Sequence, residues 1–267
     1  MPSSIGGGGE DVVGGGGGSG SVKPIYKIPL VELDFFGFRN VKRCSTRTTK
    51  PLKAVIQHER KVQNDSDVTL LFAVRQAAWA GCREQGLQLA QLAAKDPKLA
   101  VVGAVKEVGI DDEGLFDFYH TYFDRHPVYH DEKWQIYHAM GGKKIGLFRL
   151  LKGAFLARSR LNRKSICSRY NFRANPWMIG GILVFDQQGR LVYTMEEQVW
   201  EEFPIERLER AIQAARTLNN ATNTEKGGDE DTGNDDDESN ENDSEEAYTN
   251  GEQDELIVGR FMSENET

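Results

Sequence analysis

Two hydrophobic patterns alternate along the central part of the chain. Short apolar runs predict strands at 68–75, 99–107, 127–130, 178–186 and 190–196. Apolar residues at helical spacing predict helices at 82–95, 112–123, 132–140, 145–160 and 204–216. This order predicts an α/β domain with a mixed sheet, in which the first strand–helix–strand unit makes a right-handed crossover.

The two ends of the chain have a different composition from this central part. Residues 1–24 are rich in glycine, and residues 217–267 are rich in Asn, Asp, Glu, Thr and Ser. Neither segment has enough apolar surface to offset its ordering entropy, so we expect both to be disordered. The foldable part then consists of an N-terminal extension, 25–67, and a domain, 68–216.

Charge is divided unevenly along the 267 residues. The net charge is −8, yet segment 225–255 has fifteen Asp and Glu against one Lys (−14) and residues 256–267 add −1, which leaves residues 1–224 at +7. Segment 143–173 has ten Lys and Arg and no acidic residue. Its helix either presents a basic amphipathic surface to anionic lipid or an acidic partner, or packs its apolar face, with Phe148 and Phe155, on the domain. The acidic tail could fold back and mask the basic segment.

Several classes of protein find no support in the sequence. No apolar run is long enough to span a bilayer, and the N-terminus lacks the features of a secretory signal. Three widely separated cysteines, Cys44, Cys82 and Cys167, do not suggest a disulfide scaffold, so we expect a cytoplasmic protein. No pattern points to a bound metal, a cofactor or a nucleic-acid partner.

The junction between the strand at 68–75 and the next helix holds the strongest candidate for chemistry. Cys82 stands in the first turn of that helix, where free N–H groups and the helix dipole stabilise a thiolate, and Arg83 follows it. The alternative is that Cys82 is a small buried apolar residue without reactivity. Trp79 stands three residues earlier, where a C-x-x-C redox pair would have its first sulfur.

The string AVRQAAWAGCR at 73–83 resembles the A-V-R-R-P-G-C-x-x-C-R junction of the peroxiredoxin-like 2 family. This family is a thioredoxin-fold branch of the alkyl hydroperoxide reductase/thiol-specific antioxidant (AhpC/TSA) group. Further pieces occur in the family's order, among them Val-Lys-Glu at 105–107, Gly-Leu-Phe-Arg-Leu at 146–150 and Gly-Gly at 180–181. The resemblance covers about 68–216 and implies a thioredoxin-like fold, with a mixed sheet flanked by helices.

The resemblance also implies a degenerate active site. The attacking first cysteine of the family falls on Trp79, and the second falls on Cys82, so the dithiol pair cannot form within this motif. A thiol-dependent antioxidant protein of this kind would use Cys82 alone on a peroxide substrate. Its sulfenate would then react with Cys44, Cys167 or an external thiol such as glutathione or thioredoxin. The alternative is a redox-silent thioredoxin-fold binding or regulatory module.

Two further pairs of residues belong to the predicted neighbourhood of the thiol. Gly180 falls where thioredoxin-like proteins commonly have a cis-proline facing the active-site cysteine. With Gly181, it either lets a substrate backbone approach or allows close packing of a helix on the sheet. Lys106 and Glu107 end a strand on the side where α/β proteins bind ligands. They either set the charge beside the thiol or form a plain surface ion pair.

Overall fold

The structure, a computed structural model, describes residues 25–38, 41–166, 177–199 and 201–225. Most of the segments predicted to be disordered therefore lie outside the described residues. The strands are β1 (Pro29–Phe38), β2 (Val41–Pro51), β3 (Val68–Val74), β4 (Leu99–Val105), β5 (Val128–His130), β6 (Gly181–Phe185) and β7 (Leu191–Glu196). The helices are α1 (Leu52–Val62), α2 (Ala80–Lys95), α3 (Asp112–Asp117), α4 (Gln135–Ala139), α5 (Leu147–Arg163) and α6 (Ile205–Glu225).

All seven strands form one mixed sheet, in the order β2-β1-β5-β4-β3-β6-β7. Strands β3, β4 and β5 are parallel, whereas β6 is antiparallel to β3 and β7 is antiparallel to β6. Helix α2 connects β3 to β4, and α6 follows the β6–β7 pair. This order and these directions define a thioredoxin-like fold, which confirms the predicted fold class.

The N-terminal segment 25–67 contributes to the same sheet. Strand β1 pairs with β5 at Val31–His130 and Glu32–Tyr129, and β2 pairs with β1. Helix α1 then packs its apolar side, Leu52, Val55 and Ile56, on the sheet. The sequence analysis predicted none of these three elements. Strand β2 has few apolar residues, and β1, which has six among its ten residues, joins the rest of the sheet only through β5, which is distant in the chain.

The sheet separates two hydrophobic cores, because alternate residues of its strands face opposite sides. Phe72 and Val101 face the side covered by α2 and α6, and Cys82 lies in this core. Leu71 and Val102 face the side covered by α1 and α4. No helix among the described residues is long and apolar enough to cross a membrane.

Two predicted helices differ from the observed ones. The helix expected at 112–123 is divided into α3 and a π-helical turn, Phe118–Tyr122. The last helix continues to Glu225, nine residues beyond its predicted end. Arg216 holds this extension with an Nη2–Oδ1 bond of 2.9 Å to Asp96, and Asn219 receives the backbone N–H of Gln187.

The structure shows which side of helix α5 packs on the domain. Its inner side holds Ala157 and Leu161, both buried, together with Arg160, which makes a bidentate bond to the buried carboxylate of Glu84 at 2.8–3.2 Å. The aromatic residues point away: Phe148 is 82% and Phe155 is 78% exposed. The interpretation that this apolar face packs on the domain is therefore wrong, because the ion pair and the small apolar residues orient the helix.

We expect Gly180→Ala to destabilise the fold by about 1–3 kcal/mol, because a Cβ has no room there. A Cβ at this position would collide with the carbonyl oxygen of Ala73, a backbone atom near the end of β3. Gly146→Ala is the control, since nothing lies within 4 Å of its Cβ position. Urea unfolding measures both variants, and equal stabilities would contradict the tight packing at Gly180.

Candidate functional site

The strand directions bring the candidate site together at one edge of the sheet. Strands β3 and β4 end there, so Arg75 and Lys106 leave the sheet side by side. Antiparallel β6 begins at the same edge after Gly180, and β7 ends there before Glu197. The first turn of α2, with Cys82, starts from the same edge because it follows β3.

Cys82 is the third residue of α2, and its side chain is fully buried. The thiol lies beside the backbone N–H of Gln76 and the guanidinium of Arg75, both of which favour its thiolate. Burial nevertheless raises the pKa of the thiol to about 11, helped by the carboxylate of Glu197 and opposed by Arg75. At neutral pH, Cys82 is therefore a protonated thiol in this arrangement.

A buried ion pair adjoins the thiol. The Nη2 of Arg75 lies 3.1 Å from Oε1 of Glu197, and both side chains have no exposed surface. The guanidinium carbon of Arg75 also lies 4.4 Å from the centre of the Trp79 ring. Arg75 therefore contacts the indole, the carboxylate and the thiol at once.

Glu197 is held in place by Gly180. Its backbone N–H donates to the carbonyl of Gly180 at 2.9 Å, and the Gly180 N–H lies 3.4 Å from its Oε2. The backbone of Gly180 in turn lies against Ala73, at the end of β3. The glycine thus serves close packing between strands, and this contact sets where the carboxylate meets Arg75.

Lys106 is a second buried cation at this edge. Burial lowers the pKa of its ammonium to about 8, although Glu107, Cys82 and Glu197 act in the opposite direction. The ammonium nitrogen lies 5.7 Å from the ring centres of Trp134 and Tyr137, so aromatic faces form part of its surroundings.

Other predicted site residues have different roles. Arg83 turns away from the thiol: its Nε donates to the carbonyl of Ala77 at 3.2 Å, and its guanidinium lies 5.0 Å from the ring centre of Tyr122. Arg75, and not Arg83, is among the groups that shift the pKa of Cys82. Glu107 is half-buried beside Lys106, and Gly181 pairs with Ala73 inside the sheet.

Arg75 and Glu197 are functional candidates that the sequence analysis missed. Arg75 stands directly after the apolar run of β3, inside the string that carries the family resemblance. That position at the end of a buried strand was the available signal. Glu197 had no comparable signal, because only the sheet brings it next to a residue 122 positions earlier in the chain.

The site has almost no free space. A cavity of about 30 Å³ lies at this edge, lined among others by Arg75, Gln76 and Lys106, and it suffices for about one water. A larger cleft of about 510 Å³ lies near the opposite ends of β4 and β5, lined by residues such as Asn64 and His126. That cleft does not touch Cys82.

A comparison with family models finds one match. Residues 87–199, which are 113 of the 267 residues, match the model described as AhpC/TSA antioxidant enzyme. The match includes Lys106, Gly180 and Glu197, whereas Trp79 and Cys82 precede it. The match thereby supports a thiol-dependent antioxidant role, and the loss of the first cysteine stays a prediction.

Solved structures of peroxiredoxins resemble the chain at low identity. The bacterioferritin comigratory protein of Xanthomonas campestris is 11% identical, with 73% of this chain and 91% of that chain covered and a TM-score of 0.41. The peroxidoxin BcpB of Mycobacterium tuberculosis is 14% identical, with 64% and 87% covered and a TM-score of 0.38. The fold class therefore rests on the strand order and strand directions described above. No curated protein matches the sequence.

We expect Glu197→Gln to cost about 3–5 kcal/mol of stability, because it leaves the buried charge of Arg75 without a counter-ion. Replacing both partners, as in Arg75→Met/Glu197→Leu, should cost less than either single change. The neighbouring Glu196→Gln is the control, since its pair with Lys143 is exposed and contributes at most about 1 kcal/mol. A double variant as unstable as the sum of the singles would contradict this assignment.

We expect Lys106 to make stability rise with pH between about 8 and 10.5. In this range the unfolded chain binds a proton at Lys106 that the folded chain has lost, so alkali relieves the cost of burying the charge. Relative to Lys106→Met, the wild type should gain up to about 3 kcal/mol across this range. Urea unfolding at several pH values measures the difference, with exposed Lys152→Met as the control. A flat difference would show that Lys106 is not buried as a cation.

Proposed function

We propose that the chain is a peroxiredoxin-like, thiol-dependent antioxidant protein with a degenerate active site in which Cys82 acts alone. The observation that carries this proposal is the buried guanidinium of Arg75, whose positive charge lowers the pKa of the Cys82 thiol. A buried cation is costly, and at this position it stabilises the thiolate, the form that attacks peroxides.

The groups that raise and lower the pKa of Cys82 support a thiol that is shielded from water in the resting state. Burial is the largest cause of the raised pKa, whereas Arg75 and the N–H of Gln76 both lower it. Entry of water would remove the burial and leave these two groups in place. We infer that displacement of Trp79, which packs on Arg75, opens the site and lowers the thiol pKa.

The proposed reaction needs a peroxide and two external thiols. The thiolate of Cys82 attacks one peroxide oxygen, the O–O bond breaks, and the other oxygen leaves as an alkoxide that takes up a proton. The resulting sulfenic acid condenses with one thiol to a mixed disulfide and releases water, and a second thiol restores Cys82. A small reductant such as glutathione, or thioredoxin, in the cytoplasm would supply these thiols.

A second candidate is a redox-silent thioredoxin-fold binding or regulatory module. The complete burial of Cys82 and its pKa of about 11 favour it. So does Trp79, which occupies the position at which the family resemblance expects the attacking cysteine. In this alternative, the Arg75–Glu197 pair only fastens the ends of two strands, and the thiol fills space.

Thiol kinetics distinguish the two candidates. In a Cys44→Ser/Cys167→Ser background, Cys82 is the single thiol, and its reaction with a chromogenic disulfide is followed between pH 6 and 11. We expect the thiol of the parent to react slowly. Trp79→Ala should react at least about tenfold faster at neutral pH, since each unit by which the thiol pKa falls raises the thiolate fraction about tenfold.

Two controls complete this test. Trp79→Phe keeps a ring over Arg75 and should stay slow, and Cys82→Ser should abolish the reaction. Peroxide consumption with glutathione should rise in Trp79→Ala alone. A folded Trp79→Ala variant with an inert thiol would establish the redox-silent alternative. Circular dichroism checks folding, because removal of a buried Trp costs about 3–5 kcal/mol.

A further inference from the structure

The outer side of α5 is an unusual surface for a folded domain. Leu147, Phe148, Leu151 and Phe155 are all exposed and share one side of the helix. We name these four residues the outer α5 face. A contiguous group of large exposed apolar side chains marks an interaction site rather than ordinary surface.

Cations border the outer α5 face. Lys144, Lys152, Arg158 and Arg163 are exposed, and within the described part of the chain none of them has an ion pair. Arg160, by contrast, is engaged by Glu84 on the inner side of the helix. A fitting occupant therefore combines apolar side chains with negative charge.

The chain itself contains a segment of this chemistry after α6. The residues that follow the helix are strongly acidic, and the largest apolar group among them comes near the end, as Leu256, Ile257, Val258, Phe261 and Met262. Glu252, Asp254 and Glu255 precede this group directly. Acidic and apolar residues thus lie next to each other in the tail, as cationic and apolar residues do on α5.

We propose that segment 252–262 of this chain binds the outer α5 face. The 26 residues between the end of α6 and this segment have a typical end-to-end distance of about 30 Å, which reaches across a domain of this size. A tether of this kind supplies a local concentration in the millimolar range. A contact with a dissociation constant of about 0.1 mM would then be closed about 90% of the time.

Charge favours the tail over the other occupants. An anionic membrane would have to approach a face that is tethered to a segment with fifteen acidic residues, which repels it. If two copies of the chain met through this face, the cations of one copy would lie against the same cations of the other and repel them. The tail alone is complementary to the face in both charge and apolar character.

Trypsin provides a direct test in the full chain. Lys226 and Arg260 are the two tryptic sites after residue 225, and Arg260 lies inside the apolar group. Binding to α5 should protect Arg260 and leave Lys226 open. We expect cleavage at Arg260 to be about tenfold slower in the full chain than in a synthetic peptide of residues 245–267. Mass spectrometry follows both cuts over time. Only chains still intact at Lys226 are counted for the cut at Arg260, because cleavage at Lys226 releases the tail from its tether.

Variants of α5 locate the contact. Phe148→Ser/Phe155→Ser should raise the cleavage rate at Arg260 to that of the peptide, without loss of stability, since both side chains are exposed. Leu156→Ser is the matched control, because Leu156 is an exposed apolar residue of the same helix that lies outside the face. Its protection of Arg260 should equal that of the wild type.

Four outcomes would overturn the proposal. Cleavage of Arg260 at the peptide rate in the wild type would show that the tail is open. Protection that survives Phe148→Ser/Phe155→Ser would place the contact elsewhere. Protection that rises with protein concentration would assign the face to a second copy. Binding of the intact wild type to phosphatidylserine-containing vesicles would assign it to a membrane.

Discussion

The buried ion pair between Arg75 and Glu197 is the constraint on which the site depends. It joins the residue after β3 to the residue after β7, two strands separated by β6 in the sheet. Gly180 makes this possible, because its missing side chain lets the backbone of Ala73 approach, while its carbonyl accepts the backbone N–H of Glu197. Two charges without water need each other, so the carboxylate and the guanidinium fix each other's position beside Cys82.

The same pair explains why the thiol environment is finely balanced. Arg75 alone would favour the thiolate, but Glu197 returns a negative charge to the same space, and burial penalises any ion. A site built in this way keeps Cys82 neutral until its surroundings change. The match of residues 87–199 to an antioxidant enzyme model is therefore compatible with a buried, protonated thiol.

The sequence predicted the central elements well because their signals are local. Strands β3 and β4 are continuous apolar runs, and α2 and α6 show helical spacing. What depended on distant contacts could not be predicted. Strand β1 joins the rest of the sheet only through β5, where Val31 pairs with His130. Helix α6 continues past its predicted end because Arg216 and Asn219 bind residues more than 30 positions away. Likewise, periodicity defined the faces of α5, but only its ion pair with Glu84 decided which one faces the solvent.

Tyr137 has a consequence for how the site can move. Its hydroxyl lies 2.7 Å from the carbonyl of Val74, the last residue of β3, and 3.0 Å from the carbonyl of Ala104, the penultimate residue of β4, and it donates within the buried core. Since this hydroxyl ties β3 to β4 at the level of the thiol, the sheet forms a rigid wall on that side. Local opening of the site would then occur on the helical side, where the first turn of α2 can unfold residue by residue.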